Sequence, residues 1–243
     1  MNNTIDPIEI QKFSKIADQW WNPNGDFKIL HKFNPIRLRY VIEQISKIKQ
    51  LDNNKELKNL TILDIGCGGG LISEPLSNLG AEVLAIDPIE KNIMIAKSHQ
   101  LISKSSVNYV CTTVEKLKQH QKFDVILCLE VIEHVANPEL LLTQLSNLLK
   151  DKGILFISTI NRTIKSLILA KFTAEYILQW IPKTTHNWKK FLKPSEVNSY
   201  IKDKTLQLNN ISGFNYNIFN NRWDIDNNLS QNYIMCYSKI SSH

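Results

Sequence analysis

Residues 61–70 read Thr-Ile-Leu-Asp-Ile-Gly-Cys-Gly-Gly-Gly, and this stretch decides the fold. Its first half is a short apolar run rich in β-branched side chains, which is typical of a buried parallel strand. The four glycines that follow permit a tight turn and close approach of the backbone to a ligand. A predicted helix over 71–79 and a second buried strand over 82–86 come next, with Asp87 at the end of that strand. The order of strand, glycine turn, helix, strand and acid is typical of a site for an adenosine-containing cofactor.

The glycine spacing separates two classes of such cofactors. A dinucleotide site has the pattern G-x-G-x-x-G, whereas this loop starts with Gly66 and Gly68 and has Leu71 where the third glycine would stand. Asp64, just before the loop, would repel a pyrophosphate but suits a ligand that has an amino group and a sulfonium. The carboxylate of Asp87 can accept hydrogen bonds from both hydroxyls of a ribose. We therefore predict S-adenosylmethionine as the cofactor, bound by these acids and glycines, although a glycine turn alone also occurs in purely structural loops.

The composition limits the class of protein. With 243 residues, 43% of them hydrophobic, the chain is long enough for one α/β domain over 1–243, and a second full domain is not expected. The four cysteines are scattered without a C-x-x-C pair, which argues against a disulfide framework or a zinc site and fits a reducing cytosolic compartment. Residues 1–10 contain no basic stretch followed by an apolar one, so we expect no secretory signal. No run of about 18 apolar residues occurs, so we expect no transmembrane helix.

The net charge of +6 is concentrated in one segment. Residues 161–193 contain seven Lys and Arg against one acid, Glu175, while the rest of the chain is balanced. Such a basic patch indicates an anionic partner, either a membrane surface, a nucleic acid or a charged substrate. Compositional drift is the alternative, because Asn, Ile and Lys are abundant throughout. Residues 162–193 also interrupt the alternation of strands and helices, so we predict an insertion there.

Strands and helices alternate through most of the chain. Helical regions over 8–21 and 30–48 predict an N-terminal helical cap over 1–50, with Pro35 at the start of the second main helix. Asp151-Lys-Gly153 predicts a turn between the last helix and the fifth strand. Further strands are predicted at 61–65, 82–86, 107–111, 123–129 and 153–159, and helices at 71–79, 89–101, 114–119 and 138–150. Extended segments over 206–219 and 231–239 complete a doubly wound, mostly parallel α/β sheet with an antiparallel edge strand.

The segment after the fourth predicted strand is a candidate active site, because ligands of open α/β sheets bind beyond the carboxyl ends of the strands. It reads Cys128-Leu-Glu-Val-Ile-Glu-His-Val135 and lacks the prolines with which base-methylating and protein amino-methylating enzymes usually hold a planar amine. If the segment turns helically, Glu130, Glu133 and His134 share one face. They could then hold a divalent ion, or His134 could act as a general base. A turn in which these side chains only orient a loop is the structural alternative.

Over nearly its full length the chain resembles the bacterial ubiquinone-biosynthesis O-methyltransferases and their mitochondrial counterparts. The glycine loop marks only the superfamily, whereas Asn-Pro-Ile-Arg, Thr-Ile-Asn-Arg and the basic insertion mark this family. Two departures are visible: Pro88 follows Asp87, and Leu129 stands where Met is common. The matching stretches are Ala17-Asp-Gln-Trp-Trp21, His31-Lys-Phe-Asn-Pro-Ile-Arg-Leu38, Leu63-Asp-Ile-Gly-Cys-Gly-Gly-Gly70, Glu130-Val-Ile-Glu-His-Val135, Ser158-Thr-Ile-Asn-Arg162 and Ala174-Glu-Tyr-Ile-Leu178.

The resemblance implies the class I S-adenosylmethionine methyltransferase fold and a set of cofactor contacts. It implies that Arg37 binds the methionine carboxylate, and a guanidinium is the side chain that suits a carboxylate best. It further implies that Gly66 approaches the cofactor through its backbone, that Asp87 takes the ribose and that Leu129 lines the site. Thr113, just past the third strand, is predicted to border the adenine together with its neighbour Val114.

The implied reaction transfers a methyl group to a phenolic oxygen of a polyprenylated catechol or hydroquinol, namely 2-polyprenyl-6-hydroxyphenol or 3-demethylubiquinol. His134 and Glu130 are the candidate catalytic residues, and His186 in the insertion is a second candidate base. In family members the turn of Glu130, Glu133 and His134 is implied to bind a divalent ion, here Mg²⁺ or Zn²⁺.

The implied substrate has an isoprenoid tail that resides in a bilayer, which gives the insertion over 162–193 a possible role. We predict a lid that also touches an anionic membrane surface, in a cytoplasmic protein peripherally associated with the inner membrane and with other ubiquinone-biosynthesis proteins as possible partners. The alternatives are a methyltransferase for another small phenol or lipid, an RNA-associated protein and a nicotinamide oxidoreductase. RNA is disfavoured because the basic segment is more aliphatic than aromatic.

Overall fold

The computed structural model describes residues 4–51, 56–167, 188–217 and 222–241. Eight strands form one sheet in the order β3-β2-β1-β4-β5-β8-β6-β7. The first five strands along the chain pair in parallel, and the last three pair antiparallel with their neighbours. The strands are β1 (Thr61–Ile65), β2 (Glu82–Asp87), β3 (Asn108–Cys111), β4 (Phe123–Leu129), β5 (Leu149–Ile160), β6 (Leu206–Asn217), β7 (Arg222–Asp226) and β8 (Asn232–Lys239).

Helices cover both faces of the sheet, as a doubly wound fold requires. Successive residues of β1 alternate between two apolar cores: Ile62 packs into one core and Leu63 into the other. The α-helices are α1 (Pro7–Ile16), α2 (Lys28–Lys49), α3 (Ser73–Asn78), α4 (Glu90–Ser103), α5 (Pro138–Leu148) and α6 (Pro194–Tyr200). Within the described ranges, no helix combines the length and the hydropathy needed to cross a membrane.

The predicted order of strands and helices is confirmed, but two helix boundaries are wrong. Pro35 lies inside α2, which begins at Lys28, seven residues before the predicted start. The first turns persist because Phe33 is buried against Phe214 and Trp223, so tertiary packing outweighs the loss of one backbone hydrogen bond at proline. The helix predicted over 114–119 is only a 3₁₀ turn, Val114–Lys116.

The second half of the sheet also differs from the prediction. The expected turn at 151–153 is an irregularity within β5, where the pairing register with β4 shifts and Lys152 adopts a φ of +57°. The antiparallel edge contains three strands rather than two, because the short and polar β7 pairs with the end of β6. Most of the predicted insertion, residues 168–187 with His186, lies outside the described residues, so its role as a lid stays a prediction.

Candidate active site

Two adjacent tryptophans pack on the glycine loop that follows β1. A Cβ atom added at Gly68 or Gly69 would lie 2.2 or 2.5 Å from the nearest atom of Trp20. The indole N–H of Trp21 donates to the carbonyl oxygen of Gly69 at 2.9 Å. Gly68 has a φ of +53°, which glycine adopts at little cost. The loop therefore needs glycine both for its backbone conformation and because the tryptophans fill the space of a side chain.

Asp87 ends β2, and its buried carboxylate is fixed by three donors of the protein. Oδ2 accepts the backbone N–H of Gly68 at 3.0 Å. Oδ1 accepts the backbone N–H of Ile89 at 2.8 Å and the side-chain amide of Asn92 at 3.1 Å. Burial raises the pKa of Asp87, and these hydrogen bonds oppose the shift. The carboxylate is thus a rigid acceptor at the carboxyl edge of the sheet.

Arg37 is buried, and its guanidinium contacts polar groups of α2, of the segment after β4 and of β5. Nη2 donates to Asn34 Oδ1 at 2.6 Å, while Nη1 lies 3.3 Å from Glu130 Oε1 and 3.4 Å from Ser158 Oγ. Its Nε has no hydrogen-bond partner among the described residues. The Glu130 carboxylate therefore already contacts the Arg37 guanidinium, which is predicted to bind the carboxylate of the cofactor. The Nε–H of Arg37 remains as a donor for that carboxylate.

Asp64 lies buried in β1, with Oδ2 accepting the hydroxyl of Ser73 at 2.5 Å. Burial raises the pKa of Asp64 to about 6, and the charge of Asp87 adds to this shift. The Ser73 hydrogen bond and the charge of Arg37 oppose it. A cationic group placed near Asp64 would favour the ionised carboxylate, which is the chemistry predicted for the amino group of the cofactor.

Glu130 follows β4 with a φ of +57°, in the left-handed region that is strained for a residue with a side chain. Its backbone N–H donates to the carbonyl oxygen of Ser158 at 3.0 Å, and its Oε1 accepts the hydroxyl of the same residue at 2.9 Å. Oε2 lies 3.4 Å from the side-chain amide of Asn232 on β8. Strain of this kind concentrates at functional sites, where the surrounding structure holds it in place.

Helix α1 reaches the segment after β4 through Glu9. Glu9 Oε2 lies 3.0 Å from His134 Nδ1, and Phe13 packs edge-on against the imidazole with the ring centroids 5.0 Å apart. Burial lowers the pKa of His134, but the Glu9 hydrogen bond and the Glu133 charge outweigh burial and raise this pKa overall. Lys190 donates to Glu9 Oε1 at 3.2 Å, so a charged network ties α1 to the body of the protein.

A cavity of about 840 Å³, measured with its open mouth, joins these groups. Residues 4–6 and side chains of α1 form one wall, and the ends of the strands form the others. The predicted site residues that line the cavity are Gly66, Asp87, Thr113, Glu130 and His134. The other predicted site residues are buried and do not line the cavity: Arg37, Asp64, Gly68, Leu129 and Glu133.

Comparison with known proteins decides the family. Residues 46–208 match the model of a methyltransferase domain. A ubiquinone biosynthesis O-methyltransferase from Pelagibacter ubique is 50% identical over 238 residues, which cover 98% of this chain and 99% of that protein. A protein of the same name from Rickettsia canadensis is 44% identical and covers 99% of this chain and 100% of its own length. Another from Bartonella bacilliformis is also 44% identical and covers 98% of this chain and 97% of its own length. The chain belongs to the ubiquinone biosynthesis O-methyltransferases.

Solved structures agree on the fold of this chain. Magnesium protoporphyrin IX methyltransferase from Synechocystis PCC 6803, solved with bound SAH, has a TM-score of 0.70 at 18% identity and covers 96% of this chain and 99% of its own. An S-adenosylmethionine-dependent methyltransferase from Clostridium acetobutylicum has a TM-score of 0.59 at 15% identity and covers 95% of this chain and 99% of its own. The class I methyltransferase fold is confirmed, and S-adenosylmethionine is the methyl donor of this enzyme. The nicotinamide alternative is excluded.

The residues of the site fit this cofactor. Its adenosine and amino-acid parts need acceptors for hydroxyls, an anion for the amino group and a cation for the carboxylate. Asp64 and Asp87 offer buried carboxylates, and Arg37 offers an Nε that has no partner among the described residues. Of these three residues, Asp87 lines the cavity. Their assignment to individual cofactor atoms stays a prediction.

The three predicted metal ligands, Glu130, Glu133 and His134, are not arranged as a metal site. The segment has a 3₁₀ turn over Ile132–His134, and Glu130 lies outside it in the left-handed region, so the expected helical face is absent. Glu130 faces Arg37, and His134 Nδ1 faces Glu9. In the part of the chain that the structure describes, no three His, Cys, Asp or Glu side chains could hold a metal ion.

The metal-ligand set stays a prediction, and no step of the reaction is derived through it. Activity that is lost on exhaustive chelation and restored by Mg²⁺ or Zn²⁺ would support the set. Unchanged activity after chelation would reject it.

Several residues of the site were not identified from the sequence. Glu9 belongs to a helix whose sequence signal is only its apolar stripe, and its partner His134 stands 125 positions away. Trp20 belongs to a stretch that carries the family resemblance, but the sequence indicated no role for it in the site. Asn92 lies five positions after Asp87 at the start of α4, so an amide one turn beyond the acid is a signal that could have been used.

Proposed function

We propose that this enzyme methylates a phenolic oxygen of polyprenylated catechol and hydroquinol intermediates of ubiquinone biosynthesis, 2-polyprenyl-6-hydroxyphenol and 3-demethylubiquinol. The names of its relatives support this substrate class. The observation on which the mechanism rests is the position of His134 and Glu130 on the wall of the same cavity as Gly66 and Asp87. Acid–base groups and cofactor-binding groups thereby face one space.

When bound, the cofactor supplies a sulfonium methyl group for direct transfer to oxygen. The protein contributes binding and orientation: Asp87 accepts from the ribose, Arg37 binds the carboxylate and Asp64 attracts the amino group. Holding the two reactants in a fixed geometry removes a large part of the barrier to a displacement between them.

His134 is proposed as the general base. A free phenol has a pKa of about 10, so forming the phenolate at pH 7 costs about 4 kcal/mol. A base that takes the proton during transfer avoids most of this cost and contributes roughly 10²–10⁴ in rate. The contact of Nδ1 with Glu9 holds the imidazole at the wall of the cavity, where His134 is proposed to receive the phenolic proton.

Glu130 is proposed as an orienting group for the phenol. Its carboxylate is held by Arg37, Ser158 and Asn232, so it does not have to be ordered when the substrate enters. The remaining acceptor capacity of the carboxylate can hold a second hydroxyl of a catechol or hydroquinol.

Association with an anionic membrane surface through residues 162–193 is proposed because the substrate's isoprenoid tail resides in a bilayer. The segment contains seven basic residues and one acid. Each Lys or Arg near such a surface contributes about 1 kcal/mol, which is enough for reversible binding of a peripheral protein to the inner membrane. Contact with other ubiquinone-biosynthesis proteins at this surface is part of the same proposal.

A methyl-transfer assay with S-adenosylmethionine and short-chain demethylubiquinol tests the reaction. We expect methylation of the quinol, and a fall in kcat of about 10²–10⁴ for His134→Ala. Methylation of unrelated small phenols but not of demethylubiquinol would reject the substrate class. Retained kcat in His134→Ala would reject the base and leave the substrate class in place.

Sedimentation with vesicles tests the membrane contact. We expect binding to vesicles that contain phosphatidylglycerol, weaker binding to neutral vesicles and loss of binding in a Lys171→Ser/Lys183→Ser variant. A Lys97→Ser/Lys118→Ser variant removes the same charge from exposed positions outside the insertion and should still bind. Binding to structured RNA rather than to vesicles would favour the RNA alternative.

A further inference from the structure

One face of α1 is turned toward the cavity. Its lining residues are Asp6, Glu9, Ile10 and Phe13, which follow the i, i+3, i+4, i+7 spacing of a single helical face. The acidic half of this face is already paired within the protein, because Asp6 and Glu9 both contact Lys190. The apolar half, Ile10 and Phe13, is only half-buried. Apolar side chains that line a cavity without being fully covered favour an apolar part of a ligand.

The two ends of this wall lie at different parts of the site. Just before α1, the backbone N–H of Thr4 donates to Glu115 Oε1 at 2.7 Å, and the carbonyl oxygen of Thr4 accepts the backbone N–H of Ala136 at 2.8 Å. Glu115 directly follows Val114, which is predicted to border the adenine. Phe13 lies in the second half of α1, about 10 Å along the helix axis from its start. The helix therefore extends from the predicted adenine border to another part of the cavity.

Phe13 contacts both the proposed base and the cluster of side chains beside the glycine loop. Its ring meets the His134 imidazole edge-on, with the planes at 86° and the centroids 5.0 Å apart. It also packs against the cluster that contains Trp20, and the ring of Trp20 fills the space beside Gly68. The phenolic oxygen must reach both His134 and the cofactor that binds at this loop. Phe13 therefore borders the space in which the aromatic ring of the acceptor has to lie.

We infer that Phe13 is a specificity-determining residue of the acceptor site, and that its ring packs against the aromatic ring of the phenol. The inference rests on the proposed function, in particular on His134 as the base. Aromatic rings in offset-stacked or edge-to-face arrangements attract each other beyond the effect of the buried area alone. Phe13 thus favours an aromatic acceptor over an aliphatic alcohol of the same size, and it acts on the ring of the acceptor and not on the isoprenoid tail.

Steady-state kinetics with short-chain demethylubiquinol test the inference. Phe13→Leu keeps an apolar side chain but removes the ring, and it should raise KM for the quinol roughly fivefold. Phe13→Ala also removes apolar area and should raise this KM roughly 10–30-fold. Because Phe13 contacts the ring equally before and during methyl transfer, kcat should stay within about threefold in both variants. The affinity for S-adenosylhomocysteine should stay within about twofold.

Ile16→Ala is the matched control for the packing of α1. Ile16 packs against the same cluster as Phe13 but does not line the cavity. Its replacement should leave KM for the quinol within about twofold, because only the packing of the helix changes. An equal rise of KM in Ile16→Ala and Phe13→Ala would overturn the inference, and so would a loss of S-adenosylhomocysteine affinity in Phe13→Ala as large as the rise of KM.

A probe without a tail separates the ring contact from the proposed reaction. Saturation-transfer NMR can follow the binding of 4-methylcatechol to the enzyme loaded with S-adenosylhomocysteine, and it needs no methyl transfer. We expect the unsubstituted enzyme to bind this probe roughly fivefold more tightly than 4-methylcyclohexane-1,2-diol, and Phe13→Leu to bind the two within about twofold of each other.

The outcomes of the two experiments are distinct. Failure of the unsubstituted enzyme to bind 4-methylcatechol, or unchanged preference for it in Phe13→Leu, would overturn the inference. Failure of the unsubstituted enzyme to methylate demethylubiquinol would instead reject the proposed function, and the probe titration would still report whether Phe13 contacts an aromatic ring.

Discussion

Glu9 Oε2 and His134 Nδ1 lie 3.0 Å apart although 125 positions separate the two residues in the chain. The contact joins the helix that covers the cavity to the proposed base. A buried imidazole without such a partner can turn about its side-chain bonds, whereas a hydrogen bond to one ring nitrogen fixes the direction of the other. Glu9 is therefore expected to orient His134 for catalysis.

Replacement of Glu9 by Ala should lower kcat about tenfold, because loss of one charge-assisted hydrogen bond leaves the imidazole unaligned. Glu9→Gln keeps an acceptor oxygen and should retain kcat within about threefold. Asp6→Asn is the control, since it removes the negative charge that Lys190 contacts just before α1 but leaves the contact of Glu9 with His134 in place. Equal losses in the Ala and Gln variants of Glu9 would show that orientation is not its role.

Substitution of Arg37 by Lys should separate the two halves of the cofactor. Lysine keeps the charge but cannot form the forked contact with a carboxylate. We expect S-adenosylhomocysteine to bind roughly 10–100-fold more weakly, and 5′-methylthioadenosine, which lacks the amino-acid half, to bind within about twofold of its normal affinity. A parallel loss for both ligands would mean that Arg37 acts on the fold of the site and not on the carboxylate.

Cofactor affinity should depend on pH through Asp64. Burial raises the pKa of Asp64 to about 6, so its carboxyl group takes up a proton as the pH falls below that value. A cationic amino group favours the ionised form. Affinity for S-adenosylhomocysteine should therefore fall by up to about tenfold per pH unit below pH 6. Asp64→Asn should bind more weakly at pH 8 and lose this dependence, and a slope that persists in the variant would assign it to another group.

The sequence was sufficient for the parallel half of the fold because β1, β2 and β4 are buried, nearly continuous apolar runs. Prediction from the sequence failed where the conformation favoured by local residues differs from the one that tertiary packing stabilises. Proline at position 35 predicts a helix start, but the buried contacts of Phe33 extend α2 toward its N-terminus. Strand β7 is five residues long and mostly polar, so its pairing with β6 is decided by neighbours and not by its own pattern.

The site was predictable to the extent that topology places residues at one edge of the sheet. Gly66, Asp87, Thr113 and Glu130 each follow or end a parallel strand, and all four line the cavity. The partners of these residues come from distant parts of the chain, such as Arg37, which lies 93 positions before Glu130. Pairings of this kind leave no local pattern in a single sequence.

The last prediction concerns the space that Trp20 fills beside the glycine loop. Gly68→Ala should destabilise the protein in two ways: the new Cβ meets the Trp20 ring at 2.2 Å, and the φ of +53° is strained for alanine. Overpacking costs about 1–3 kcal/mol and the left-handed backbone about 1–2 kcal/mol in the free energy of unfolding. When Trp20 is replaced by Leu, Gly68→Ala should cost only the backbone contribution. A double-mutant cycle measured by urea unfolding should therefore give a coupling energy of about 1–3 kcal/mol between the two positions. An equal cost of Gly68→Ala in both backgrounds would show that the ring is not what excludes a side chain at this position.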